Sequence, residues 1–294
     1  MRPDIMRKLA KPMLFGAATI WGTSFFIMKN ALDVMPVFSL LAVRFTAGAV
    51  LLGLVCWNRW KEFSVDYLWR GAIIGAFLFL AYLIQTFGLE RTTPSKNAFL
   101  TAVYCVMVPF FYWAVMGKKP DRYNIGAALL CVTGVGLVSL NGDLSVNVGD
   151  VLTLIAACFY AAHIIAVEKT SQGKDIYLLT VFQFAFAAVY AWIGSLTLET
   201  MPLREMADPA VFLPLAYLCV MATTAALLFQ NVGQIWSDPA SASVILSLES
   251  VFGVLFSVIC YGDRVTAPMA LGFVFIFVAV VCSETKFSFL QKRK

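Results

Sequence analysis

Arg44, His163 and Glu249 each stand inside a long, otherwise apolar run of this 294-residue chain. Glu249 lies about ten residues into the run Pro239–Tyr261, roughly 15 Å along a helix that rises 1.5 Å per residue. A carboxylate at the middle of a bilayer costs ~2.5–3.5 kcal/mol on insertion scales, so it must face a cavity, a basic partner or a bundle interior. It is either a counter-ion for a substrate ammonium group or a proton site, with nearby Ser247 as a further substrate-binding candidate, or else a structural residue bonded with Ser247 and Ser250 across helices. Arg44, about two turns into its run, could hold a carboxylate through two parallel hydrogen bonds. It could instead fix its helix to carbonyls or an acid, or reach the surface along its aliphatic stem. His163, the single histidine, could move protons or bond a substrate, or sit neutral and hydrogen-bonded in the interior.

Weaker candidates surround these three. Asn97, Thr101 and Tyr104 recur at i, i+4 and i+7, which places them on one helical face. Such a face either lines a cavity or bonds a neighbouring helix. Lys96, beside Pro94, either draws an anion to the mouth of a cavity or is a solvated loop charge. Trp21, Thr23 and Ser24 offer an aromatic wall and hydroxyls, a combination suited to cationic or planar substrates. Gln85 and Gln230, at equivalent repeat positions, are candidates for gating, for substrate contact or for a symmetric structural role, and Gly71-x-x-x-Gly75 is a pattern found wherever helices meet closely. The seven cysteines all lie in apolar stretches without a C-x-x-C spacing, so neither a metal site nor a disulfide framework is expected. Phosphate-loop, H-E-x-x-H and G-x-S-x-G patterns are missing too, so the chain reads as cofactor-free and not an enzyme. An ATP-driven pump would need a nucleotide domain; energy would come from the substrate gradient, exchange or an ion gradient.

The elements that must position these residues follow from composition. Hydrophobic residues make up 61% of the chain and charged ones only 13%, with a mean hydropathy of +0.82. Average soluble domains are about half apolar and about a quarter charged. The chain is therefore an all-α polytopic membrane protein, and disordered, coiled-coil and nucleic-acid-binding classes are excluded. Ten runs are long enough to span: Pro12–Met28, Val37–Trp57, Leu68–Leu89, Pro94–Met116, Tyr123–Leu140, Val151–Val167, Ile176–Leu198, Ala210–Trp236, Pro239–Tyr261 and Ala267–Ser283. With the N-terminus cytoplasmic, sixteen of the 22 Lys and Arg fall in inner segments, against five in outer ones (Lys29, Arg91, Lys96, Arg204 and Arg264). That bias predicts both termini in the cytoplasm and an even number of spans.

The chain also repeats itself. Gln85-Thr86-Phe87-Gly88 with Pro94 six residues on matches Gln230-Asn231-Val232-Gly233 with Pro239 at the same distance, and Met116-Gly117 matches Tyr261-Gly262 at the same offset of 145. Ile20-Trp21 and Phe159-Tyr160 hold comparable places. The halves 12–140 and 151–283 thus carry five runs each, so the second enters the membrane the other way up. Inverted repeats are a known route to alternating access.

Trp21-Gly22-Thr23-Ser24-Phe25, Arg44-Phe45, Thr93-Pro94-Ser95-Lys96-Asn97-Ala98-Phe99-Leu100-Thr101 and Ser247-Leu248-Glu249-Ser250-Val251-Phe252-Gly253 resemble the drug/metabolite transporter superfamily, and within it the ten-helix EamA-type permeases. The resemblance covers nearly the whole chain. It implies a bacterial inner-membrane carrier that exports amino acids or other small metabolites, with helices of both halves around a central cavity. Two positions depart from the family pattern: Lys118 follows Gly117 where an acid is usual, and Ser250 follows Glu249 where proline is usual. The expected partners are a small-molecule substrate, the lipid bilayer and, if Glu249 titrates, protons, with no nucleic acid, in a monomer or weak oligomer. A proton-coupled exporter of lipophilic cations fits the same residues; a membrane-embedded enzyme or interaction protein is the third alternative.

Overall fold

Backbone amides inside a bilayer have no water to bond, so apolar runs of this length must close their hydrogen bonds within helices. The computed structural model describes residues 3–117, 119–139, 147–237 and 239–286, and among them the chain is helical with no strands. Leu140, at the end of the fifth expected run, and the basic residues Arg2, Lys118, Lys292, Arg293 and Lys294 lie outside the described residues.

The α-helices run in order α1 (Pro3–Ala31), α2 (Val37–Val55), α3 (Asp66–Arg91), α4 (Pro94–Ala102), α5 (Tyr104–Met116), α6 (Arg122–Ser139), α7 (Val148–Thr170), α8 (Ile176–Leu198), α9 (Pro209–Tyr217), α10 (Ala226–Ile235), α11 (Pro239–Phe256) and α12 (Ala267–Thr285). Among the described residues, seven stretches are long and apolar enough to cross a membrane, two of them composite: Pro94–Met116 joins α4 and α5, and Pro209–Gly233 joins α9 to α10. Ile245–Tyr261 and Ala267–Ser283 are shorter apolar helices. Large apolar side chains such as Leu129, Val132 and Leu196 point outward at 70%, 72% and 76% exposure. Apolar surface of that extent suits contact with lipid, not water.

Two interruptions were not expected from the sequence. Val103 donates its amide to Leu100 O, a tighter turn that separates α4 from α5. Between α9 and α10, Leu218–Ala225 winds as a π-helix that starts one turn after Pro214, which has no amide to donate. The wider turn is held by Thr223 and Thr224, whose hydroxyls donate to the carbonyls of Leu218 and Cys219 five residues back, both at 2.8 Å.

Small residues let the helices meet. A Cβ at Gly149 of α7 would lie 2.6 Å from the carbonyl oxygen of Gly88 on α3, and one at Gly88 2.9 Å from that of Gly149. Gly134 of α6 and Gly272 of α12 approach each other's carbonyls in the same way, at 2.8 and 2.7 Å. The Gly71 and Gly75 pair likewise receives the α8 backbone at Phe182 and Gln183. Without a hydrophobic drive between helices in lipid, this close packing carries the association. Gly272→Val is therefore expected to destabilise the protein by ~1–3 kcal/mol or more through overpacking. Gly126→Val, where nothing lies within 4 Å, should stay within about 0.5 kcal/mol. Thermal unfolding of the two variants in detergent checks this contrast.

Charged groups gather at the two ends. At the end where α1 begins and α12 stops, Lys286 pairs with Asp121, Arg59 pairs with Asp175, and Lys174 reaches Asp66 at 3.0 Å. There Asp175 also caps α8, accepting from the amide of Leu178. At the far end Glu199 caps α2, accepting from the amides of Phe38 and Ser39 at 2.9 and 2.8 Å. These ends frame a central cavity.

Candidate functional site

The cavity, with the open space at its mouth included, holds about 650 Å³ between atoms and is lined from α1, α2, α3, α4, α5, α7, α10 and α11. Its wall carries Arg44 of α2 and Glu249 of α11, 2% and 6% exposed. Trp21, Tyr82, Tyr104 and Tyr160 supply aromatic surface, and Ser24, Gln85, Thr101, His163 and Gln230 supply neutral polar groups. Met28, Phe25, Leu78, Ile164 and Leu227 complete the lining.

Arg44 is held by the unusual turn between α9 and α10. Its Nε donates to Thr223 Oγ1 at 3.1 Å, and that hydroxyl is itself fixed by Leu218 O. A second guanidinium nitrogen lies 3.0 Å from Met28 Sδ, and the group sits 5.2 Å from the centre of the Tyr82 ring. Trp21 is anchored to the same turn, donating from Nε1 to Ala222 O at 2.9 Å. A π-turn inside an α-helix often marks a functional site; here it orients one cation and one aromatic wall together.

Glu249 has a different setting. Among the described residues no basic side chain pairs with its carboxylate, and none of the acids pairs with Arg44. The cavity thus presents a guanidinium and a carboxyl group that are not engaged with each other. Ser250 donates back to Ser247 O at 2.8 Å within the same helix, and Ser247 is fully buried outside the lining.

Gln85 organises the wall at Thr101 and Tyr160. Its Nε2 donates to Thr101 Oγ1 at 2.8 Å, and its Oε1 accepts from the Tyr160 hydroxyl at 2.8 Å. Tyr160 also packs edge-on against Tyr82, ring centres 5.6 Å apart. His163 lies on α7 one turn from Tyr160, on the same cavity-facing side.

Of the residues singled out from the sequence, the cavity collects Trp21, Ser24, Arg44, Gln85, Thr101, Tyr104, His163, Gln230 and Glu249. Thr23 is turned away and shares a 2.5 Å hydrogen bond with the Tyr217 hydroxyl. Asn97 is fully buried and bonds Gln85 O and Thr153 Oγ1 at 3.3 and 2.7 Å, so the face it shares with Thr101 in sequence divides between packing and cavity. Lys96 is not a solvated loop charge: its side chain is 13% exposed and pairs with Asp150 at 3.1 Å. Sequence reasoning missed Tyr82 and Tyr160. Tyr82 stands three residues before Gln85, on the same face, and Tyr160 holds the repeat position of Trp21. Among the described residues no cluster of His, Cys, Asp or Glu is arranged to hold a metal ion.

A profile of the EamA-like transporter family matches residues 9–140 and again 147–285. The chain belongs to the EamA-like transporter family. An uncharacterized transporter of Archaeoglobus fulgidus is 33% identical over 90% of this chain and 82% of its own length. The uncharacterized inner membrane transporter YedA of Escherichia coli K12 is 24% identical, covering 95% of this chain and 92% of that one. A crystal structure of another protein superposes with a TM-score of 0.69 at 16% identity, over 97% of this chain and 99% of that one. At that identity the likeness speaks for the fold. The chain is a multi-pass membrane transporter of this family.

Proposed function

We propose that the cavity is a site for zwitterions, and that the protein exports amino acids by alternating access. The observation that carries this reading is that the guanidinium of Arg44 from α2 and the carboxyl of Glu249 from α11 both line the cavity, with neither in an ion pair among the described residues. Burying a charge without a partner costs several kcal/mol. A substrate carrying both a carboxylate and an ammonium group supplies the missing partner to each. An analogue lacking one group leaves a buried charge unpaired, and sites of that kind reject such analogues strongly. No catalytic residue is assigned, and the protein acts as a carrier.

Alternating access is supported by helix pairing. α1 packs on α11 and on α10, while α7 packs on α4 and α5 and on α3; α2 meets α8, and α6 meets α12. Exchange of the halves 12–140 and 151–283 converts each pairing into another of the set or into itself, as two five-helix inverted repeats require. The excess of Lys and Arg on the side of the chain termini supports a cytoplasmic placement of both, and the family and the description of YedA support the inner membrane.

Lipophilic cations are the rival substrate class, favoured by the five aromatic side chains and the carboxyl group of the same cavity. Protection of a cysteine placed at Ile164 discriminates. Leucine and serine are expected to slow its labelling in a concentration-dependent way, and tetraphenylphosphonium is not. Protection by the cation alone would replace the amino-acid reading with the drug-export one.

A further inference from the structure

The connection between α3 and α4 at the far end is held by charged side chains from three other elements. Lys29 of α1 donates to the carbonyls of Leu89, Glu90 and Thr92 at 2.7, 2.8 and 3.1 Å. Asp263, in the connection before α12, accepts from the amide of Ser95 at 3.1 Å. Asp150, in the first turn of α7 and fully buried, takes Lys96 on Oδ2 and the Thr92 hydroxyl on Oδ1. Its place at a helix N-terminus further favours the negative charge. Lys96 stands five residues before the cavity-lining Thr101, about 8 Å along the helix.

Asn97 connects this cluster with the cavity. Fully buried, it donates to Thr153 Oγ1 on α7 and to the backbone oxygen of Gln85, the residue whose side chain bonds Thr101 and Tyr160 in the cavity wall. Thr153 in turn donates to Gly149 O at 2.7 Å, beside Asp150. Parting α4 from α7 at this end must break the ion pair and the Asn97–Thr153 bond together. The repeat places Ser241 at the position corresponding to Lys96, so the sequence carries no cation there for the other end.

We propose that the Lys96–Asp150 pair is the lock that closes the cavity at the far end, and that Asn97 is the positioning residue that ties the lock to the cavity wall. This rests on the transport reading, but the lock is tested without a substrate, so its failure is separate from a failed exchange assay. Ser24→Cys serves as the reporter in the cavity. Its labelling by a charged, membrane-impermeant methanethiosulfonate is followed by peptide mass spectrometry, with reagent added to either membrane face. Leu203→Cys, exposed in the connection between α8 and α9, identifies the face that carries this end. Lys96→Gln, Asp150→Asn and Asn97→Ala are expected to raise labelling from that face at least tenfold, with no rise from the other face. Lys96→Arg, which keeps the charge, is expected to label at the parent rate. Unchanged labelling in Lys96→Gln and Asp150→Asn would overturn the proposal. So would an equal rise from both faces, because that is what a generally loosened bundle gives.

Discussion

Replacing Glu249 by glutamine is expected to lower amino-acid exchange in proteoliposomes at least thirtyfold while leaving the protein as stable as before or more so. The first half follows from the proposed function: the carboxylate has no basic partner among the described residues, and on that reading the substrate's ammonium group would be its partner. Removing one side of a desolvated charge pair costs roughly 2–5 kcal/mol, and ~1.4 kcal/mol is tenfold. The second half follows from the same burial. Glutamine keeps the shape and removes an ionisable group whose charge the buried wall disfavours, and such gains in stability at functional positions are common. Transport in proteoliposomes and thermal unfolding in detergent, measured on the same preparation, check the pair. A structural glutamate gives the opposite pattern, with stability lost and exchange retained in the protein that remains folded.

Arg44→Lys is expected to raise the KM for amino-acid exchange tenfold or more and to lower stability by ~1–2 kcal/mol, the scale of a lost hydrogen bond to a charged group. Two tasks are combined in this side chain. It ties α2 to the π-turn through Thr223 and rests over Tyr82, and on the proposed reading the remainder of its planar fork would hold the substrate's carboxylate. Lysine keeps the charge but has neither the fork nor the flat face. Arg44→Gln loses the charge as well, and no measurable exchange is expected. Exchange that fell only in proportion to the amount of folded protein would reduce Arg44 to a helix anchor.

The apolar runs made most of the fold legible, because a bilayer leaves helices as the economical way to bury their backbones. Glu249 was legible for the same reason: a lone acid in such a run is too costly to be incidental. The π-turn was not, although Pro214 was in plain view, because a proline says where a ladder is broken and not how the chain repairs it. Asp150 was overlooked because the apolar run was drawn from Val151, which left its partner Lys96 to be read as either an anion-drawing charge at the mouth or a solvated loop charge. Tyr82 and Tyr160 were hidden by abundance: aromatic residues make up 14% of the chain, and only the packing distinguishes those that face the cavity from those that face lipid. Asn97 shared a helical face with Thr101, but the neighbouring α7 decides which end of that face is covered.

Counterflow uptake into proteoliposomes tests the zwitterion site most directly, with labelled leucine, isopentylamine, 4-methylpentanoate and tetraphenylphosphonium as the panel. The first three share the leucine skeleton and differ only in the charges they carry. Exchange of leucine, with the amine lacking a carboxylate and the acid lacking an ammonium group both refused, is the predicted result. Exchange of the amine or of the lipophilic cation, with leucine refused, would contradict the account: Glu249 alone would then select the substrate, and Arg44 would be part of the frame.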